Sequence, residues 1–497
     1  MIELGADGLD RTAYLRVVHG GEAPAVPDDV LAAVDRGREA MLSAIASGLP
    51  AYGVTTGLGH LASVSVRPED QEALQRSLLT GRASGLGPPL PTAVTRGAML
   101  LRLSSFLSGR VGVGAALCRL LATLLAAGWE PVVPAGPYGA AGEIGPSAHL
   151  FQTLIGEGTV VLGGTELPAR DALGRLGLEP FQVGAKEGLA LVNGSPFATA
   201  LGIEHTTRLR GLVETATTAA TLQLAVTGAG AQALSPEVAA WQRDDTVNAL
   251  ARSVAAMLEG SASLADGAQP PVSARVALQV HAAAIDAIDV LDATLDRRLR
   301  AVTDSPLVLE GDETGSVAIA PSGGFHAVAV SLGLETLAIA ATHVLNLVEK
   351  RLHRLHDARF SGLPEQLAAE PGAQSGTVAL HKAVVGLAAD ARSLAAPASV
   401  HALDTSAGQE DVQAFTFLAA ERAGRIADNL ESALACELVA LRQAAWLRGG
   451  APPGPLAPTL ARLEEAVPPV AFDRTLSPDV ERVRCAVADG LFRTPPA

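Results

Sequence analysis

Five polar residues stand out in an otherwise apolar chain, each in a short stretch rich in small residues. Tyr52 opens YGVTTGLGHLA, Arg82 sits in LLTGRASG, Asn193 in KEGLALVNGSPFA, Arg275 ends AQPPVSAR, and Glu410 follows Gln409 in TSAGQED. A tyrosine acts as a general base when neighbouring positive charge lowers its pKa; Arg82 and Arg275 are the residues expected to supply that charge. Arginine also grips carboxylates through a two-pronged fork, so two arginines at one site point to an anionic substrate, or to one with two acceptor groups. Each residue has a plainer reading as well. Tyr52 could be a buried tyrosine with a satisfied hydroxyl, Asn193 a brace for the VNGSP turn, Arg275 and Glu410 a buried ion pair, and Arg82 a surface or interface arginine. The loop TTGLGHLA lacks the third glycine and the strand-to-helix setting of a phosphate cradle. His353 and His356, with Glu349 and Asp357, have ligand-like spacing but read as the charged face of a helix, so no metal is expected.

These residues need elements to hold them. The chain has 497 residues, 48% of them hydrophobic but only 3% aromatic, so Ala, Leu and Val must build the core, which suits closely packed helices. Up to residue 200, Gly and Pro interrupt the pattern, as in SGLGPPLP and PVVPAGPYGAAG. Beyond it, long Ala/Leu-rich segments such as LGLETLAIAATHVLNLVEKRLHRL carry apolar residues at spacings of three and four. The reading is a mostly α protein: a loop-rich region over 1–200, a central bundle of long, nearly parallel or antiparallel helices over 201–447, and, beyond the breaker-rich LRGGAPPGPLAPTL, a short helical tail over 448–497.

The net charge of −15 argues against phosphate-mediated nucleic-acid binding and against anionic membranes. The long uncharged run between Glu214 and Glu237 contains Thr217, Thr218, Gln223 and Gln232 and reads as a buried helix, not a membrane span. Three dispersed cysteines give neither a metal spacing nor a disulfide framework, and the N-terminus MIELGADGLDRTAYLR has no apolar signal region. A cytoplasmic protein is expected.

Taken with PYGAAGEIGPSAHL at 137–150, with VTDSPLVL and with PSGGFHAVAV, these motifs resemble the histidine, phenylalanine and tyrosine ammonia-lyases and the related aminomutases, in that family's order, from about residue 25 to about residue 445. The resemblance implies the ammonia-lyase (fumarase/aspartase-like) architecture: a helical homotetramer with a central bundle, each active site shared by three chains. It implies a small-molecule substrate, and it gives Tyr52, Asn193 and Glu410 catalytic positions, with Arg275, Gln269, Phe325 and Gln409 at substrate-binding positions. Arg82 stands where the family has a histidine and is expected to join the substrate-binding set.

The family makes its electrophile, a methylidene-imidazolone, from an Ala-Ser-Gly triplet. The glycine nitrogen attacks the alanine carbonyl, water leaves, and the serine then loses its hydroxyl to give the methylidene. Here the triplet is Ala140-Ala141-Gly142. Ala141 has no β-hydroxyl, so the second dehydration has no oxygen to expel, no methylidene can form, and no cofactor is expected. Other departures accompany it: Val272 replaces the second tyrosine, Gly408 replaces an asparagine, and one residue is missing before Phe325 in Ser322-Gly323-Gly324-Phe325-His326. Several independent departures point to natural divergence. The expected function is therefore elimination, dehydration, isomerisation or cyclisation by Tyr52-based acid/base chemistry, without that electrophile. The substrate would be an anionic, amino-acid-derived molecule of specialised metabolism, free or held on a carrier protein. The alternatives are a non-catalytic ligand-binding or scaffold homologue, and an ammonia-lyase with an engineered Ser-to-Ala change.

Overall fold

A computed structural model describes the chain except residues 261–269, 311–315, 402, 451–453 and 494–497. Among the described residues helices dominate. Those that matter here are α1 (Gln71–Gly81), α2 (Thr92–Leu107), α3 (Ile144–Phe151), α4 (Glu187–Val192), α5 (Pro196–Thr227), α6 (Ala277–Arg298), α7 (Val328–His356), α8 (Val378–Leu394), α9 (Thr416–Arg448) and α10 (Ser477–Ala488). Strands are short: a three-stranded antiparallel sheet from 130–131, 159–162 and 165–168, and a hairpin pairing Leu307 with Ala320 through Glu310 with Val317.

The chain divides into two units that do not follow the sequence order 1–200, 201–447 and 448–497. The first comprises Met1–Glu204, Leu291–Leu332 and Ala398–Ala420, and the second comprises His205–Val290, Gly333–Pro397 and Glu421–Ala497. The sequence boundaries were placed where helices begin and end, whereas α5, α6, α7 and α9 each run from one unit into the other.

In the first unit α2 is buried from Val94 to Leu107, including Arg96 and Arg102. Polar side chains inside so apolar a helix need partners, and Arg102 has Asp304 3.6 Å away at the site described below.

The second unit is the bundle, and pairs between its helices give their directions. Arg208 bonds Glu431 at 2.9 Å and Arg448 bonds the Thr227 carbonyl at 2.5 Å, so α5 and α9 run the same way. Thr217 meets His281 and Arg210 meets Asp289, so α6 runs opposite to α5. Glu349 meets His381 and Asn346 meets Arg392, so α8 runs opposite to α7. The small side chains let helices approach: Ala220 of α5, Ala277 of α6 and Leu347 of α7 form one buried cluster. Thr215, Thr217 and Thr221 are buried and return their hydroxyls to carbonyls four residues back, which satisfies these three hydroxyls inside α5. One described helix, α7, is apolar and long enough to cross a membrane, with a mean hydropathy of 1.7 over its most apolar window. It is a bundle helix here, and its Arg351 forms a buried two-pronged ion pair with Glu437 of α9.

Candidate active site

The Tyr52 loop is held from below by a residue that sequence reasoning passed over. Gln75, fully buried in α1, donates to the Gly53 carbonyl at 2.7 Å and accepts from the Leu189 amide at 2.9 Å. One side chain thus ties the Tyr52 loop to α4, the helix that ends at Asn193. A Cβ on Gly188 would lie 2.1 Å from the Gln75 carbonyl oxygen, so only glycine permits this approach of α1 and α4. Tyr52 itself is 39% exposed, and its hydroxyl accepts the Gly59 amide at 2.9 Å. That N–H can bond the oxygen whether or not it carries a proton, and it fixes the ring's direction.

Glu410 lies across from the triplet. Its carboxylate accepts the Thr405 and Ser406 hydroxyls at 3.0 Å each and the Ala141 amide at 3.4 Å. The loop reaches this geometry through three consecutive residues with positive φ, Ser406, Ala407 and Gly408. Two of these are not glycine, so the backbone is strained. Glycine at 408, where the family has an asparagine, relieves the third position.

Asn193 is positioned by buried charge. Its amide donates to the Ser305 carbonyl and its oxygen accepts the Gly194 amide. Ser305 follows Asp304, whose carboxylate is paired with Lys186 at 2.8 Å and lies 3.6 Å from Arg102; all three charged side chains are buried. Lys186 starts α4 with φ +69° and Asn193 ends it, so the ion pair fixes the segment that carries Asn193 to the segment that carries Ser305. Burial pulls the Lys186 ammonium below its usual range, against the attraction of Asp304.

Glu143 does something its place in the motif does not reveal. Its buried carboxylate accepts the Phe197 and Ala198 amides at 2.6 and 2.7 Å, capping the N-terminus of the 32-residue α5. Burial pushes the Glu143 carboxyl up to about 8, while the two N–H donors and the nearby Arg298 and Arg102 pull it down. His149 accepts the Gly85 amide at 2.8 Å, bracing the loop after α1.

These elements enclose a cavity of about 170 Å³ in the first unit. Tyr52, Asn193, Phe325, Gln409 and Glu410 line it together with Ala141 and Gly142; Leu58, Ile144, Leu189 and Val192 supply apolar wall. Ala140 lines a smaller space behind the triplet, with Tyr138 and Phe417. Arg82 and Arg275 are not among its lining residues. Arg82 is exposed at the end of α1 and does not line the cavity. Arg275 and Val272 belong to a short helix of the second unit, where the Arg275 guanidinium donates to the Pro270 carbonyl at 3.0 Å. Gln269 lies outside the described residues. The positive charge expected beside Tyr52 is therefore missing from the described cavity lining, whose charged member, Glu410, is negative. An arginine's sequence neighbourhood says nothing of the direction in which its long side chain leaves the backbone. Where the family's electrophile would stand, the cavity has the methyl of Ala141, which offers no oxygen to lose; the residues present do not fit that group.

The family model for aromatic amino acid lyases matches residues 9–467. The chain belongs to that family. It is 35% identical over 498 residues to a histidine ammonia-lyase of Symbiobacterium thermophilum, covering 98% of this chain and 97% of that protein. It is 37% identical over 447 residues to one of Gloeobacter violaceus, covering 88% and 86%. Among solved structures it resembles a tyrosine aminomutase of Streptomyces globisporus, with a TM-score of 0.91, 26% identity, and 99% and 97% of the two chains covered. The family's mostly helical fold and the order of its motifs are those of this chain, and the chain is an enzyme of this family.

Proposed function

We propose that this family member works without a methylidene-imidazolone and uses Tyr52 as its acid/base group on an amino-acid-derived small molecule. The observation that carries this reading is the contrast inside one cavity. The residue that must supply the electrophile is an alanine, while Tyr52, Asn193, Gln409 and Glu410 remain arranged around it.

Without an electrophile the site suits a substrate whose C–H is already acidic or whose leaving group is good. Tyr52 takes the proton, the C–H electron pair becomes a double bond, and the group on the adjacent carbon departs and receives a proton. Isomerisation, dehydration and cyclisation are variants of the same transfer. In this reading the substrate carboxylate falls to Arg275, brought in by a neighbouring copy in the homotetramer that the family resemblance implies, and Arg82 joins it in binding the substrate. A substrate free or held on a carrier protein, a role in specialised metabolism and a cytoplasmic setting complete the proposal. The unpaired Cys118, Cys436 and Cys485 are in keeping with that setting.

The test is ammonia release from histidine, phenylalanine and tyrosine, read beside the near-ultraviolet absorbance of the conjugated ring. The unmodified protein should show neither, and Ala141→Ser should gain the absorbance. Ammonia released from histidine by the unmodified protein would overturn the proposal.

A further inference from the structure

The second unit holds a cluster that the cavity chemistry does not use. Glu349 and His353 lie four residues apart on α7 and therefore share a face. The antiparallel α8 delivers His381 to the same place. One ligand-type atom from each of the three lies within 4.8 Å of the other two. The His381 Nε2 is 2.9 Å from Glu349 Oε1, and the His353 ring stacks on that of His381 with centroids 4.7 Å apart. Lys350 occupies the other oxygen, Oε2, at 2.7 Å.

We propose that Glu349, His353 and His381 form a binding site for a divalent cation of the zinc class, clamping α7 to α8. Two imidazoles and one carboxylate are a donor set that zinc, cobalt and nickel accept, with water filling the remaining positions. With metal–ligand bonds of about 2.0–2.2 Å, neighbouring ligand atoms on a tetrahedral ion stand roughly 3.3 Å apart. The 2.9 Å between His381 and Glu349 opens by only a few tenths of an ångström as the cation replaces the shared proton. His353 is exposed and makes no described hydrogen bond, so its ring is free to turn from the stack to the ion. Glu349 retains Lys350 on its second oxygen, which leaves the carboxylate oriented.

The membership differs from the one that helix spacing suggests. His356 cannot join, because its Nδ1 bonds the Leu352 carbonyl and its Nε2 the Thr377 hydroxyl, each at 2.8 Å. Asp357 caps the following turn and pairs with Arg359. The third ligand comes instead from a different helix, 32 residues further along the chain than Glu349.

The test uses the full chain, stripped with a chelator and titrated with Co²⁺ while the visible d–d bands are recorded. The expected result is one cobalt per chain, displaced by Zn²⁺, with the affinity reduced at least about tenfold in His353→Ala and in His381→Ala, since even residues behind a ligand set cost that much. Zn²⁺ should also raise the melting temperature of the unmodified protein and not that of His353→Ala. Because His353 is exposed, that variant keeps its fold, which far-ultraviolet circular dichroism checks. Failure to bind cobalt, or equal binding by the unmodified protein and both variants, would overturn the assignment.

Discussion

The backbone amide of Ala141 points at the carboxylate of Glu410, 3.4 Å away. Closing an imidazolone ring at this triplet would turn that nitrogen into an imine nitrogen with no hydrogen to give, so the contact is one that an open backbone makes. Glu410 accepts from Ala141, Thr405 and Ser406 together, and it thereby joins the triplet to the strained 405–410 loop. Glu410→Ala should cost about 1–3 kcal/mol, because three half-buried donors lose a charged acceptor. Glu410→Gln, which keeps an acceptor oxygen, should cost less. Urea unfolding of the two variants measures the difference.

Gln75 is expected to matter as much to the Tyr52 loop as any residue within it. In Gln75→Leu the Gly53 carbonyl and the Leu189 amide both lose their partner inside the protein. Stability should fall by about 1–3 kcal/mol for each group left unsatisfied. Amide hydrogen exchange at Leu189 and through residues 51–59 should rise together in this variant; if only one of the two segments loosened, the side chain would not be the strut described here.

The Lys186–Asp304 pair gives a sharper contrast. Asp304→Asn leaves Lys186 and Arg102 buried without their counter-charge, and removing one member of a buried pair costs about 3–5 kcal/mol. Asp304→Asn combined with Lys186→Met removes charge of both signs and should be the more stable of the two variants. A double-mutant cycle in denaturant reads this directly.

Acid should destabilise the second unit from the inside. Burial is the main cause that holds His281 down to about 3, and His205 and His356 down to about 4. In the unfolded chain these imidazoles take up protons near their ordinary pKa of about 6.5. Because the folded values are depressed, the unfolded state binds more protons below that pH. The stabilisation is fully present above about 6.5, declines as the pH falls, and is lost once the folded values are passed near 4 and 3. The melting temperature should fall between pH 6.5 and 4, and His281→Asn should flatten the decline.

Much of this was legible in the sequence, for reasons that differ by residue. The bundle was readable because α5, α7 and α9 are long and their apolar residues keep a helical period over many turns. The lack of a β-hydroxyl at Ala141 was readable because it concerns one oxygen of one residue. Lys186 and Asp304 were not, since 118 residues separate them and nothing local marks either as buried. Gln75 looks like an ordinary polar residue of an amphipathic helix, and only the glycine-tight approach of α4 buries it. Nothing local marks Glu143 as the residue that caps α5, 54 residues further on. Arg275 sits in a motif whose resemblance implies substrate binding, and it belongs to the second unit.

The central claim is that chemistry continues at the Tyr52 cavity without the family's electrophile. The most direct measurement is untargeted mass spectrometry of small-molecule and carrier-bound extract from the producing cells, incubated with the unmodified protein and with Tyr52→Phe. The expected result is a species consumed by the unmodified protein and left intact by Tyr52→Phe. A metabolite that co-purifies with both proteins while neither consumes anything would contradict the claim and identify a binding protein instead.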